Sequence, residues 1–397
     1  MTKRIPGPSG FGLLTTSVVL AALTVACSPP IEKIWEFPTG SPLYSTPLVI
    51  EDLIIFGSES GTIHAVDRKG KARWQYSTPS AQIFSRPVTD NKRIFFGATN
   101  QTFYAINLAG QAQWQFSAKE RIKSDAAISE GVVYTTSYDG HVYALKAETG
   151  KLLWQFPPQA QPAPPEPKKD EAAKEAKDKD KSDSTSTAEP KEPAPEPVVP
   201  KAFSYAGPVI KDGVLYVGNL DGYMYAINTA DGSLKWRFKT GGGITSSALV
   251  ADGVVYFGSK DDSVYAVDAA SGTKLIWKFQ TGGDVLSSPK IHDGVVWVGS
   301  NDKKMYSIDA KTGKEKCHFL TSGEVVSYAV FYKNLVLFGA GQGDGSVYAV
   351  NSNDCKQFFK FKTGYKIESD PVLSGDLLYI TSGDRKLYAF KINKTPK

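Results

Sequence analysis

A repeat constrains this chain more than any other feature. A short apolar strand returns as Ile63–Val66, Phe103–Ile106, Val142–Leu145, Met224–Ile227, Val264–Val267, Met305–Ile308, Val347–Val350 and Leu387–Phe390. A second, aromatic strand is marked by Trp35, Trp74, Trp114, Trp154, Trp236 and Trp277, with Cys317 and Phe359 in two of the Trp places. Successive markers lie 39, 40, 40, 82, 41, 40 and 42 residues apart. The unit is clearest in Asp252–Gly282, where strands are expected at Val254–Gly258, Val264–Asp268 and Leu275–Phe279, with a fourth upstream at Thr245–Val250. Four short strands joined by tight turns make a sheet too small to cover its own faces, so neighbouring copies must cover one another.

The ends of the array decide its shape. A lone aromatic strand, Trp35–Phe37, precedes the first full copy, and the chain stops just after Leu387–Phe390, where an aromatic strand is due. The first strand therefore supplies what the last sheet lacks, and closure removes the unpaired edges that an open array would expose. The expected fold is all-β: an eight-bladed β-propeller of four-stranded antiparallel blades, its ring closed by the N-terminal strand pairing into the last blade. The six Trp recur once per blade at the repeat period, which is the mark of scaffold packing between blades. Each buried ring contributes up to ~4–6 kcal/mol as an upper bound. Asp or Asn opens the turn before the aromatic strand and Gly closes it, as in Asp268-to-Gly272 and Asp309-to-Gly313, because Gly takes the left-handed conformation without strain.

Outside the repeat lie two stretches of different character. Residues 1–26 carry Lys3 and Arg4 and then a 16-residue apolar run, Phe11–Ala26, too short to span a bilayer and suited to a secretory signal. The segment Leu23–Cys27 resembles a bacterial lipoprotein cleavage box, which implies lipidation of Cys27 and a tether over 27–33; ordinary cleavage after Ala26 is the other reading. In lipoproteins of this kind Ser28 favours the outer membrane. The segment 157–200 holds 11 Pro among 44 residues and no aromatic residue, so it is expected to be a disordered linker. It is either a solvated loop or a spacer reaching a partner. Propeller sequence thus occupies 34–156, with the closing strand and blades one to three, and 201–394, with blades four to eight; 395–397 is a tail. With two cations in the leader and 7 Lys against 10 acidic residues in the linker, the formal charge of +5 leaves the propeller at about +6. It contains no run of five like charges, so nucleic acid is not an expected partner.

Few residues suggest chemistry. His64, His141, His292 and His318 show no metal-ligand spacing, and no nucleophile or phosphate-loop motif is present; no catalytic, metal or cofactor residue is assigned. Apart from Cys27, Cys317 takes a Trp place and Cys355 a turn-Gly place in adjacent blades. That makes them a candidate disulfide, although spacing alone does not place their Cα atoms in range. The residue before the Pro or Ala of each first strand varies: Thr46, Arg86, Asp125, Gly207, Ser247, Ser288, Tyr328 and Asp370. First strands line the channel, so Arg86, Asp125, Tyr328 and Asp370 are candidate positions for a small polar ligand. The plainer alternative is that Arg86 and Asp125 pair with each other.

Stretches such as Ala266–Trp277, Ala226–Trp236 and Ala144–Trp154 resemble the tryptophan-docking repeat of pyrroloquinoline-quinone (PQQ) propellers. The resemblance runs from Ile34 to the C-terminus except for the linker. Its enzyme branch, the quinoprotein dehydrogenases, implies a Trp floor under the cofactor, a Cys-Cys ring and calcium; this chain has no Cys-Cys, and Trp297, aligned with Tyr256 in a second strand, is not spare for a floor. The other branch is the BamB family of outer-membrane lipoproteins. It implies a non-enzymatic scaffold without cofactor, held by lipid at the inner face of the outer membrane of a Gram-negative bacterium. It also implies a monomer within a complex that binds envelope proteins of the barrel-assembly machinery. A PQQ-repeat propeller binding another envelope protein, a glycan or a small ligand is the alternative.

Overall fold

The computed structural model describes residues 29–158, 202, 203, 205 and 207–396. The leader, Cys27 and nearly all of 157–200 lie outside the described residues. Among those described, 32 strands form eight four-stranded antiparallel sheets, and in seven of them the strands follow chain order from the first to the fourth. The eighth is completed by Ile31–Pro38, which pairs antiparallel with Lys386–Ile392. The expected eight-bladed ring and its mode of closure are both present.

Burial follows the position of each strand. In blade five the second strand, Val254–Ser259, and the third, Ser263–Asp268, are almost wholly buried, because blades lie against both faces. Such strands read as continuous apolar runs rather than alternating ones. The fourth strand, Leu275–Gln280, has a mostly exposed pattern, and Trp277 is its one buried side chain. A register shift recurs on the fourth strand of every blade, including the closing strand, just before the docking position. Such a bulge bends the strand and re-aims the next side chain. Here it leaves Ile34, Leu153 and Ile276 exposed and turns the following Trp toward the neighbouring blade.

Each Trp meets the same partner. Trp35, Trp114, Trp236 and Trp277 donate from Nε1 to the carbonyls of Arg68, Ala147, Ala269 and Ala310, each at 2.9 Å and each in the next blade; Trp154 does the same to Thr229. The rings cover Gly70, Gly110, Gly150, Gly232, Gly272 and Gly313, where a Cβ would lie 2.9 Å or less from the indole. All six glycines have positive φ, so the turn and the ring both demand Gly there. Trp74 keeps the ring contact with Gly110, although its Nε1 has no partner.

The two exceptions have separate causes. Cys317 stands at the Trp place of blade six, and Cys355, at φ +57°, at the Gly place of blade seven. They form a disulfide with a Cα–Cα distance of 6.1 Å. A covalent bond thus spans the two positions that elsewhere bring Trp onto Gly. Phe359 faces the last blade, whose outer strand arrives from the N-terminus, so no third-to-fourth-strand turn exists there to carry a Gly. Its ring packs edge-on to Phe390 instead.

A second set of inter-blade bonds comes from the Asp-containing hairpins that the sequence suggests only as turns. Within each hairpin a Tyr orients the carboxylate: Tyr225, Tyr348 and Tyr388 donate to Asp221, Asp344 and Asp384 of their own blades at 2.6 Å. Asp261, Asp302 and Asp384 also accept the backbone N–H of Gly241, Gly282 and Gly364 from the preceding blade.

At the seam, Glu36 pairs with Lys33 at 2.7 Å and Lys386 at 2.6 Å, and Arg68 of blade one reaches Ser374 of blade eight. Two boundaries differ from expectation. The closing strand begins at Ile31, not 34, because Ile31 is 2 % exposed in a core shared with blades seven and eight. Pro396, placed by sequence in the tail, accepts a bond from Asn334.

Reduction of the disulfide is expected to lower stability by about 2–4 kcal/mol. The double substitution Cys317→Trp with Cys355→Gly rebuilds the docking pair, so it should recover most of that loss in reducing buffer. Denaturant midpoints with and without dithiothreitol check both outcomes.

Candidate functional site

First strands of neighbouring blades approach one another around the central channel. The connection entering each one carries two residues whose side chains build the channel wall. The earlier of the two is usually a Ser, fully buried at Ser45, Ser85, Ser124, Ser246, Ser287, Ser327 and Ser369. These hydroxyls satisfy carbonyls inside the wall: Ser85 donates to Gly97, Ser246 to Gly258 and Ser327 to Gly339. Ser45 and Ser287 instead donate to the Ser of the next blade.

The residue that follows is the variable one, and it forms a collar. The backbone N–H of Arg86 donates to Asp125, that of Gly207 to Ser247, Ser247 to Ser288, Tyr328 to Asp370, and Asp370 to Thr46, at 2.7–3.0 Å. Every bond runs from one blade to the side chain of the next. The chain of bonds breaks where the next residue has no acceptor, at Arg86, which only donates, and at Gly207, which has no side chain. It breaks also before Tyr328, whose hydroxyl is met by the Arg86 guanidinium at 3.1 Å, across the channel.

The collar surrounds a cavity of about 470 Å³, and Arg86, Asp125, Tyr328 and Asp370 all line it. Direct pairing of the Arg86 and Asp125 side chains, the plainer expectation, is not what brings them together. Asp125 is held by the Arg86 backbone, while the guanidinium turns to Tyr328.

Sequence reasoning missed Lys290, whose Nζ lies 4.0 Å from the centre of the Tyr328 ring inside the same cavity. The signal was readable. Lys290 opens the first strand of blade six, where the other blades have Leu48, Val88, Ala127, Val209, Leu249, Val330 and Val372.

The floor of the cavity is electrostatically tense. Burial pushes both carboxyls up, against their hydrogen bonds: Asp125 above the ordinary range and Asp370 to about 7. Burial also raises the Tyr328 phenol and lowers the Lys290 ammonium, the latter against the pull of Asp370 and Asp125. Two cations and two carboxylates thus share a poorly hydrated space. Among the described residues, no group of three or more His, Cys, Asp or Glu is placed to hold a metal ion. Trp297 is 1 % exposed in the packing of blades six and seven, away from the cavity lining.

One family's sequence pattern matches residues 32–111, 104–185, 180–316 and 273–330, and its description is outer membrane protein assembly factor BamB. The chain belongs to the BamB family. Among curated relatives, the outer membrane protein assembly factor BamB of Xanthomonas campestris is 27 % identical over 118 residues. That stretch is 30 % of this chain and only 21 % of the Xanthomonas protein. Among solved structures, BamB from Moraxella catarrhalis superposes with a TM-score of 0.70 at 16 % identity, covering 91 % of this chain and 99 % of that one. The computationally designed Ika8 protein does so at 0.72 and 15 % identity, covering 91 % and 100 %. At these identities the structural likeness is one of fold, and a designed protein shares it as fully as the Moraxella BamB.

Asp370 makes the collar pH-sensitive. Its folded value of about 7 lies above the ordinary 3.8, so between those limits the folded state holds more protons and stability falls as pH rises. Arg86, Lys290, Asp125 and Tyr328 surround it and are unchanged in Asp370→Asn. That variant should therefore gain on the wild type between pH 5 and pH 8, measured as the difference in denaturant midpoints.

Proposed function

We propose that this protein is a non-enzymatic periplasmic scaffold of the BamB type, serving the assembly of β-barrel proteins in the outer membrane. Cys27 carries the lipid that tethers it to the inner face of that membrane, and the 157–200 segment links blades three and four. The observation that carries this reading is the family match, which runs from residue 32 to residue 330, across the linker and most of the ring.

The architecture suits a docking platform. A ring closed by strand pairing and joined blade to blade by Trp contacts and one disulfide is rigid, so little entropy is lost when it binds. The fourth strands expose their outer edges, and some carry apolar side chains: Leu152 and Leu153 in blade three, Leu275 and Ile276 in blade five, Leu320 in blade six. An extended segment of a partner adds to such an edge through backbone hydrogen bonds while these side chains supply specificity. Lys and Arg on the same strands discourage self-association of the ring.

Photo-crosslinking residues placed at Leu153 and Ile276 in cells, followed by identification of the captured proteins, test the proposal. Capture of barrel-assembly subunits is expected, together with reduced barrel-protein levels in the outer membrane when the gene is removed. A folded, membrane-attached protein that captures none of them, and whose loss leaves those levels unchanged, overturns it. Cys27→Ser should release the protein from the outer-membrane fraction.

A further inference from the structure

We infer that the channel cavity binds a zwitterionic aromatic α-amino acid. Its carboxylate sits on the Nε/Nη2 edge of Arg86 and on Lys290, its ammonium on Asp125, and its ring among Tyr44, Phe84 and Tyr205. This site is independent of the assembly role, and either reading stands if the other fails.

The donors come first. The Arg86 guanidinium uses one nitrogen, Nη1, on Tyr328; its Nε is buried with no partner. A buried charged donor left unpaired is costly, so it marks a place where a partner belongs. The Nε/Nη2 edge of a guanidinium matches the two oxygens of a carboxylate in a planar, bidentate contact. Lys290 stands over the Tyr328 ring and makes no ion pair among the described residues, so a second cation faces the same space. Thr245 adds another buried, unpartnered hydroxyl to the cavity lining.

Charge balance then selects the class. Around the cavity Arg86, Lys123, Lys260 and Lys290 are matched in number by Asp125, Asp370, Glu324 and Glu368. A lone anion or a lone cation would leave one charge uncompensated in a partly dry space, which is expensive. A zwitterion brings one of each. Asp370 is committed through both oxygens, to Tyr328 and Thr46, whereas Asp125 uses only Oδ1 and leaves Oδ2 for an ammonium.

The upper wall selects the side chain. Tyr44 and Phe84 stack at 6.1 Å with 12° between their planes, and Tyr205, 51 % exposed, stands on the same cavity. Lys123 lies over both Phe84 and Tyr205, so these rings already act as faces for a neighbour. An aromatic ring packs against such a wall in offset or edge-on geometry. The volume of about 470 Å³ lies in the range of small-molecule pockets and leaves room for bridging water.

The test is calorimetric titration and ligand-observed NMR on the purified full propeller, with L-phenylalanine, L-alanine, phenylacetate and phenethylamine as probes. Saturable one-to-one binding of phenylalanine is expected. Loss of either charge or of the ring in the other three probes should weaken it about tenfold or more. Arg86→Gln should weaken phenylalanine binding to a similar degree, and Tyr205→Ala, at a half-exposed position, should do so without changing the melting transition. Should Arg86→Gln not melt cooperatively, Lys290→Gln gives the same readout. No saturable binding at millimolar phenylalanine overturns the inference. So does equal binding of phenylacetate or phenethylamine, or undiminished binding by the folded Arg86 and Lys290 variants.

Discussion

The structure depends on one constraint: a ring of sheets must join its last blade to its first. The bond chosen is noncovalent and long-range, seven register pairs between Ile31–Pro38 and Lys386–Ile392. Because the N-terminal strand is the outer strand of the final sheet, the last blade and the cores it shares with blades seven and one are not complete until the two ends meet. The backbone bonds of Asn393 and Lys394 to Pro30 and the ion pairs at Glu36 reinforce the same junction. This explains why Phe359 replaces Trp. At the seam the docking turn does not exist, so the residue that would use it has no role.

Between blades, the same geometric problem is solved repeatedly by a bulge, an indole and a glycine. The bulge aims the ring, the carbonyl of the next blade fixes its orientation, and the glycine lets it come close. Between blades six and seven, where Cys stands in both the Trp and the Gly place, a disulfide joins the same two positions. The substitution is physically coherent, since a bond needs only the short Cα separation that the docking geometry already provides. The Asp hairpins add a polar layer at another radius, so neighbouring blades are held at more than one depth.

The channel inherits its properties from this rigidity. Collar residues are held by backbone-to-side-chain bonds around the ring, so their charges cannot relax away from one another. Asp370 rises to about 7 because it is buried beside Asp125, not because it lacks hydrogen bonds. Scaffold and cavity thus place different demands on one ring. The outer strands present edges to large partners, while the collar concentrates opposite charges in a space of small-molecule size.

Most of the architecture is written in the sequence, because a 40-residue period, a strand missing at the end and its counterpart at the start leave one closed arrangement. The scaffold role of Trp35, Trp74, Trp114, Trp154, Trp236 and Trp277 follows from their spacing alone, and so does the convergence of one residue per blade on the channel. Lys290 was legible too, as the single cation in a column of apolar residues. What the sequence did not contain is who meets whom across the ring. Arg86 and Tyr328 are 242 residues apart and belong to blades three apart around the ring; periodicity puts both at the mouth but says nothing of which rotamer crosses it. The cysteine pair became a bond only once the twist of two adjacent blades set their Cα atoms 6.1 Å apart. Local pattern fixes which residues point inward, and only the closed circle, by setting distances between distant segments, decides which of them touch.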